Sequence, residues 1–408
     1  MSTNTSIFIG DDSTLQPSGS FGLSFPSESW LPQAVCAALA YLLVVRLLRY
    51  RRLEATFRTT KYKTRADYGS MTLGDAHSIQ LALAELEFPK VFSSSVFFAL
   101  FKTYGIPSIS RLLVATGQLA SDETASKRAA DTSIILTEVV LNNPTSKRTI
   151  DGIARMNYLH DRYRNAGKIS DADMLYTLSL FCLEPIRWTN KYEWRTLTDL
   201  ERCAMGTFWK NMGEAMSIPY TLLEHNKQGW TDGLHWLEDL EAWSLQYEKA
   251  YMVPAESNNK LARITLDLAL YKLPSALHGI GCQYAAALLE LRLRKAMMIK
   301  EPGTFFTTTL SAVLQARKYF IRYLLLPRPP SVVHSAKRIL SMGSDGMDHL
   351  ALREAVTRRR GDKYEPEGYL LAEVGPSALK GKGGAEMKGE RMRVEKLNMR
   401  VGCPFAKW

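Results

Sequence analysis

Cysteine is sparse in this sequence, and the cysteines present form no pattern. The five, Cys36, Cys182, Cys203, Cys282 and Cys403, contain no C-x-x-C pair and are odd in number. That excludes zinc-finger spacing and c-type haem attachment. It fits a reducing compartment, where buried thiols act as small hydrophobes. Also missing are G-x-G-x-x-G, the P-loop, H-E-x-x-H, G-x-S-x-G and any internal repeat. Their absence argues against nucleotide-binding α/β folds and the common hydrolase scaffolds. Alternating Val/Ile-rich runs are scarce, and residues 1–29 contain no Lys or Arg.

What is present is a chain of 408 residues, 46% hydrophobic, with a formal net charge of +11. The length allows one large domain or two small ones, and the apolar content fits a globular body. A basic balance attracts polyanions and anionic membranes alike, so the placement of the charge has to choose between them.

Residues 1–29 are rich in Ser, Gly and Thr and read as a flexible leader. There follows "WLPQAVCAALAYLLVVRLLRYRRLE". From Leu31 to Leu48 only Gln33 and Arg46 are strongly polar. As a helix this run spans roughly 27 Å, close to a hydrocarbon core of about 30 Å. Trp30 and Tyr50 bracket it as interface aromatics do, and Arg46 lies near enough to the end to snorkel. The positive charge, Arg46, Arg49, Arg51 and Arg52, follows the run rather than preceding it. A retained anchor over 30–48 therefore fits better than a cleaved signal peptide. The positive-inside rule places the leader in the lumen and residues from 49 onward, starting with a basic linker over 49–67, in the cytosol. Asn4-Thr5-Ser6 is a glycosylation sequon on the lumenal side.

Residues 68–330 show helical period throughout, so a mainly α fold with a single helical domain is expected. "TLGDAHSIQLALAELEF", "SKRAADTSIILTEVVLNN" and "ALHGIGCQYAAALLELRLRKAMM" each read as a helix. Gly105 with Pro107, Asn143 with Pro144, Gly167, Pro185, Pro254, Pro274, and Pro302 with Gly303 read as separators. Residues 331–408 read as a loose, mostly solvated basic extension, with 13 Lys/Arg against 8 Asp/Glu from residue 353 onward. Poor aromatic interleaving argues against nucleic acid, and contact with an anionic leaflet is the better use of that charge.

One histidine sits on an apolar line. His160 shares a helical face with Ile153, Met156 and Tyr163, and Asn157 and Arg164 lie at its margin. Ser146 is a good N-cap for this helix. Ser170 with Asp173 opens the next helix, and the short "NAGK" turn makes the two antiparallel neighbours. His160 then faces the interior, either as an ordinary core residue or as a ligand. Upstream, Arg128, Thr132, Ile135 and Val139 form one stripe, which is either a solvated face or the wall of a pocket for an anion, a haem propionate or dioxygen. His278 competes with His160 as a ligand, and Cys403 could offer a thiolate.

Four stretches carry a resemblance: "LHDRYRNAGKISDADMLYTLSLF", "EWRTLTDLERCAMGTFWKNMGEAM", "LFKTYGIPSISRLLVATGQ" and the ending "GCPF". Together they resemble the mpaB-type endoplasmic-reticulum-bound oxygenases of fungal secondary metabolism. The type member of that family cleaves the farnesyl side chain in mycophenolic acid biosynthesis. More distantly the sequence is similar to the latex-clearing rubber oxygenases. The resemblance implies a helical fold enclosing a non-covalent haem b, with His160 as the axial ligand. It implies Arg128 and Thr132 near the distal face as catalytic residues, with Asp131 where the rubber oxygenases have a lysine. Their distal glutamate has no counterpart between Gly105 and Ala120.

The function implied is oxidative cleavage, by dioxygen, of a C=C bond in an isoprenoid side chain such as that of a meroterpenoid, giving an aldehyde. The enzyme would be a single-pass protein of the endoplasmic reticulum membrane. It would act on an apolar prenylated small molecule beside other pathway enzymes. Two alternatives stay open on the residues: a non-catalytic membrane-tethered binding protein of the same fold, and a haem oxidase or hydroxylase of another apolar metabolite.

Overall fold

The computed structural model describes residues 30–119, 122–329, 341–342, 348–349, 369–399 and 403–405. The chain divides into two units, residues 1–44 and 45–408. The described part of the first unit is the beginning of α1 (Trp30–Thr59), whose apolar side chains, including Leu31, Val35, Leu39 and Leu43, stand exposed. α1 is long and apolar enough to cross a membrane. A helix in the core of a soluble protein would bury such residues.

The described residues of the second unit are helical almost throughout. In chain order it holds the rest of α1, then α2 (Arg65–Tyr68), α3 (Leu73–Ala82), α4 (Pro89–Thr103), α5 (Pro107–Ala115), α6 (Asp122–Leu141), α7 (Lys147–Asn165) and α8 (Asp171–Tyr192). There follow α9 (Asp199–Ala215), α10 (Gly233–Tyr251), α11 (Glu256–Leu270), α12 (His278–Leu288), α13 (Leu291–Ala296), α14 (Thr304–Tyr323) and α15 (Gly384–Asn398). Extended pairing among the described residues is confined to the two-residue strands Ser341–Met342 and Asp348–His349. The mainly α expectation holds.

α8 lies at the centre, against α4, α9 and α10, while α3 packs on α9 and α6 on α7. α7 starts where its sequence dictates, because the Ser146 hydroxyl accepts from the Thr149 N–H. It ends in a Schellman closure: Gly167 N–H donates to Arg164 O (2.9 Å) and Lys168 N–H to Tyr163 O (2.8 Å). Gly167 adopts the left-handed φ of +66° that this closure requires. Ser170 then caps α8 through the Asp173 N–H.

Several expectations fail for physical reasons. Pro185 does not separate helices but lies inside α8. Interior proline costs about 3 kcal/mol. That is offset by the burial of neighbours such as Leu180, Leu183 and Ile186, each contributing roughly 1.5–3 kcal/mol. Conversely, the stretch read as one helix from residue 276 to 298 breaks between α12 and α13 at Leu289 and Glu290, whose backbones are extended. The linker over 49–67 is helical to Thr59, and Arg49 is buried with its guanidinium 5.3 Å from the centre of the Trp194 ring.

The largest correction concerns the C-terminal extension. Residues 369–399 are part of the body rather than a solvated tail: Tyr369, Leu371, Val374, Leu379, Met387 and Val394 are all buried. α15 packs along α7. The fully buried Arg155 guanidinium holds this segment, donating to the carbonyls of Val374 (2.8 Å), Leu379 (3.1 Å) and Lys382 (3.1 Å). Asn157 donates to Glu390 (2.8 Å), and Asn398 joins Asn211 and the Pro144 carbonyl.

Candidate functional site

The antiparallel α7–α8 pair fixes His160 in the last turns of α7. Its Nδ1 lies 2.7 Å from the Met156 carbonyl oxygen. A carbonyl can only accept, so Nδ1 carries the proton and Nε2 keeps its lone pair. Ligation of a metal through Nε2 needs this tautomer, held by this kind of hydrogen bond. The imidazole is set so deep that burial, first, and the positive charges of Arg128 and Arg164, second, push its pKa down against the opposing pull of the Met156 carbonyl. Yet the residue keeps some accessible surface.

Arg128, on α6, is therefore brought within electrostatic reach of His160, as the stripe on α6 allowed. It also acts on Tyr104, the C-cap of α4, whose phenol burial pushes above its ordinary pKa while Arg128 pulls it back. Thr132 donates its hydroxyl to the Arg128 backbone carbonyl at 2.8 Å, so its oxygen is tied to its own helix while still able to accept. Asp131, buried, pairs with Lys127 at 2.8 Å, and Lys127 also donates to the Gly375 carbonyl at 2.7 Å. Lys127, paired with Asp131, thus fastens the C-terminal segment to α6.

Sequence reasoning missed Tyr104, Arg155 and the helical tail. Tyr104 directly precedes Gly105, and the sequence there signals only a turn. Arg164 was placed at the margin of the histidine face, and it sits there. It donates to the carbonyls of Met216 (3.2 Å) and Ser217 (3.0 Å) and to Asp171 (3.2 Å).

The competing ligands look different. His278 starts α12, half-exposed, with Nε2 3.0 Å from the Leu273 carbonyl, so the nitrogen that His160 leaves free is occupied there. Cys403 is buried, its sulfur 3.3 Å from the Phe405 N–H, and the neighbouring Pro404 carbonyl accepts from Lys210 at 3.0 Å. Asn4 lies outside the described residues. A further grouping, His225, His235 and Asp239, brings its ligand atoms within 4.8 Å of one another. The carboxylate there is already engaged on both oxygens, by His225 Nδ1 and Trp230 Nε1, each at 2.8 Å.

Fold and site together define a helical scaffold with a membrane-length N-terminal helix and a half-buried imidazole whose Nδ1 is tied to its own helix. No family model matches the chain. Curated relatives do. It is 39% identical to ER-bound oxygenase mpaB' of Penicillium brevicompactum over 94% of this chain and 96% of the relative. It is 45% identical to ER-bound oxygenase mpaB of Penicillium roqueforti over 67% of this chain and 91% of that protein. With mpaB of P. brevicompactum the identity is 40%, covering 77% of this chain and 74% of the relative. The chain belongs to the mpaB-type family of ER-bound oxygenases and is an oxidoreductase.

Proposed function

We propose that the protein is a haem b-dependent oxygenase of the endoplasmic reticulum membrane that cleaves a C=C bond in an isoprenoid side chain, giving an aldehyde. The observation that carries the reading is the His160 tautomer: Nδ1–H to the Met156 carbonyl, with Nε2 left to ligate and the Arg128 cation within electrostatic reach. A haem held there would supply the site at which dioxygen is activated.

The chain's own residues do the rest. His160 Nε2 is the ligand, and its hydrogen bond to the helix backbone fixes the ring's orientation. The Arg128 guanidinium, with Thr132 one helical turn away, would hold negative charge beside His160, such as a haem propionate. Tyr104 presents a phenol kept in its protonated form by burial, and so a donor rather than an anion. Partly covered apolar side chains on α5 and α6, Ile109, Leu113 and Leu136 among them, offer a prenyl chain a surface without competing hydrogen bonds. The substrate is an apolar prenylated small molecule of the meroterpenoid kind. The body faces the cytosol, with the leader lumenal.

Purified protein supplied with haem should show a Soret band that is lost or displaced in His160→Ala and unchanged in His278→Ala. Colourless wild type, or loss in the second variant instead, overturns the ligand assignment. Turnover of a prenylated phenol under labelled dioxygen should place label in two carbonyl fragments. A single hydroxyl on an intact chain would favour hydroxylation.

A further inference from the structure

α14 has no buried residue, although it is 20 residues long. Its half-covered side faces α12 and the end of α8. There Arg317 donates to Glu193 (2.8 Å) and to the Tyr192 carbonyl (3.1 Å). The opposite side carries Phe305 (67% exposed), Val313 (64%), Tyr319 (58%) and Phe320 (51%). It continues without a break into the exposed Tyr323, Leu324, Leu325 and Leu326. From Thr304 to Leu326 every exposed position is uncharged; Arg317, Lys318 and Arg322 are all partly covered. An apolar, aromatic, charge-free face of this length is uncommon on a surface that meets only water.

A second observation says what covers it. The segment after α14 is tied to the residues that immediately follow the anchor's apolar run. Arg49 donates to the Leu325 carbonyl, and Arg52 donates to the Arg328 carbonyl at 2.7 Å. Arg49 follows Leu48 directly in the chain. Covalent connection alone therefore keeps Leu325 within a few residues' reach of the point where the chain leaves the bilayer. Arg49 is buried and Arg52 pairs with Glu87, which leaves the exposed Arg51 and the partly covered Arg322 and Arg328 as the cations here that an anionic leaflet favours. Tyr319 and Tyr323 stack 6.4 Å apart on the same face, and tyrosine is enriched at membrane interfaces.

We propose that the exposed face of α14 and the residues that follow it, from Val313 through Leu326, rest in the headgroup and acyl boundary of the membrane to which the chain is anchored. This second contact is monotopic. It restricts the tumbling that a single tether would allow and holds one side of the body against the lipid. The inference is independent of the haem reading.

The test uses the full-length chain reconstituted in phosphatidylcholine–phosphatidylserine vesicles. An environment-sensitive fluorescent amino acid is placed singly at Val313, at Phe320, or, as a control, at the exposed Lys388 on α15. Preserved helix content by circular dichroism shows that each variant folds. Blue-shifted emission at the first two positions, strongly quenched by nitroxide-bearing lipid and not matched at Lys388, is the expected result. Quenching at Val313 and Phe320 no greater than at Lys388 overturns the proposal. Blue-shifted emission that escapes lipid quenching and disappears when the protein is diluted in lipid also overturns it, assigning the face to a second copy of the chain.

Discussion

An imidazole whose Nδ1 faces a main-chain carbonyl has its chemistry decided by a single hydrogen bond. At position 160 the sequence showed the helical face and the capping serines, and so the inward direction of the ring. It could not show the 2.7 Å contact with Met156 or the nearness of Arg128, which belongs to another helix. The depressed pKa has a consequence for stability without any cofactor. Because the folded-state pKa lies below the unfolded value of about 6.5, the unfolded chain takes up the proton first. The contribution is complete above that unfolded value and is lost as pH falls through the folded one. Denaturant midpoints of the cofactor-free protein should therefore drop between neutral and mildly acid pH, and His160→Gln should flatten part of that slope. An unchanged slope would mean the ring is better hydrated than its depth implies. Arg128→Met should raise the His160 titration midpoint measured by NMR, since a cation that disfavours the imidazolium is gone. A midpoint that stays put would place the guanidinium out of reach.

Helices were legible wherever one face carried the period, and their partners were not, because partners lie far away in sequence. Lys102 on α4 is buried between Glu184 on α8 (3.1 Å) and Glu248 on α10 (3.0 Å), with Glu290 at 3.6 Å. Burial alone would lower its pKa, and the three carboxylates reverse that into a net rise. Lys102→Met leaves those carboxylates uncompensated and should cost about 3–5 kcal/mol, read as a shift in denaturant midpoint. The C-terminal segment was illegible for another reason. Tyr369, Leu371, Val374 and Leu379 lie on short turns around the single Gly375-Pro376 step, where neither a 3.6 nor a 2 period can be read, and Met387 and Val394 are buried in a helix whose composition is dominated by charge. Arg155 is the element that makes this segment structural. Arg155→Lys keeps the charge but loses the planar fork that reaches three carbonyls, so a loss of roughly 3 kcal/mol is expected from the charged hydrogen bonds removed. Limited proteolysis should then cut near residues 374–399 well before the rest of the body. Uniform resistance of that segment would mean that the Asn157, Asn211 and Asn398 contacts suffice without it.

A membrane-length helix was plain in the sequence from hydropathy and flanking arginines, whereas a helix lying on a membrane was not. α14 has the same 3.6 period whether its apolar face meets protein or lipid, and only the packed structure shows that none of the described residues covers it. The orientation proposed for the whole chain rests on charge asymmetry: no Lys or Arg in residues 1–29 and four arginines between 46 and 52. Positive charge is retained on the cytosolic side, so the leader, with its Asn4 sequon, should reach the lumen. In microsomes the full chain should gain an endoglycosidase-sensitive mass increment that Asn4→Gln removes. Protease added outside the sealed vesicles should digest the body and spare a fragment containing the leader and the apolar run. Survival of the body with loss of the leader would invert the orientation, and the α14 face would then have to meet the opposite leaflet. That leaflet carries less anionic lipid, so the arginines around Leu325 would lose their electrostatic partner while the apolar contact remained.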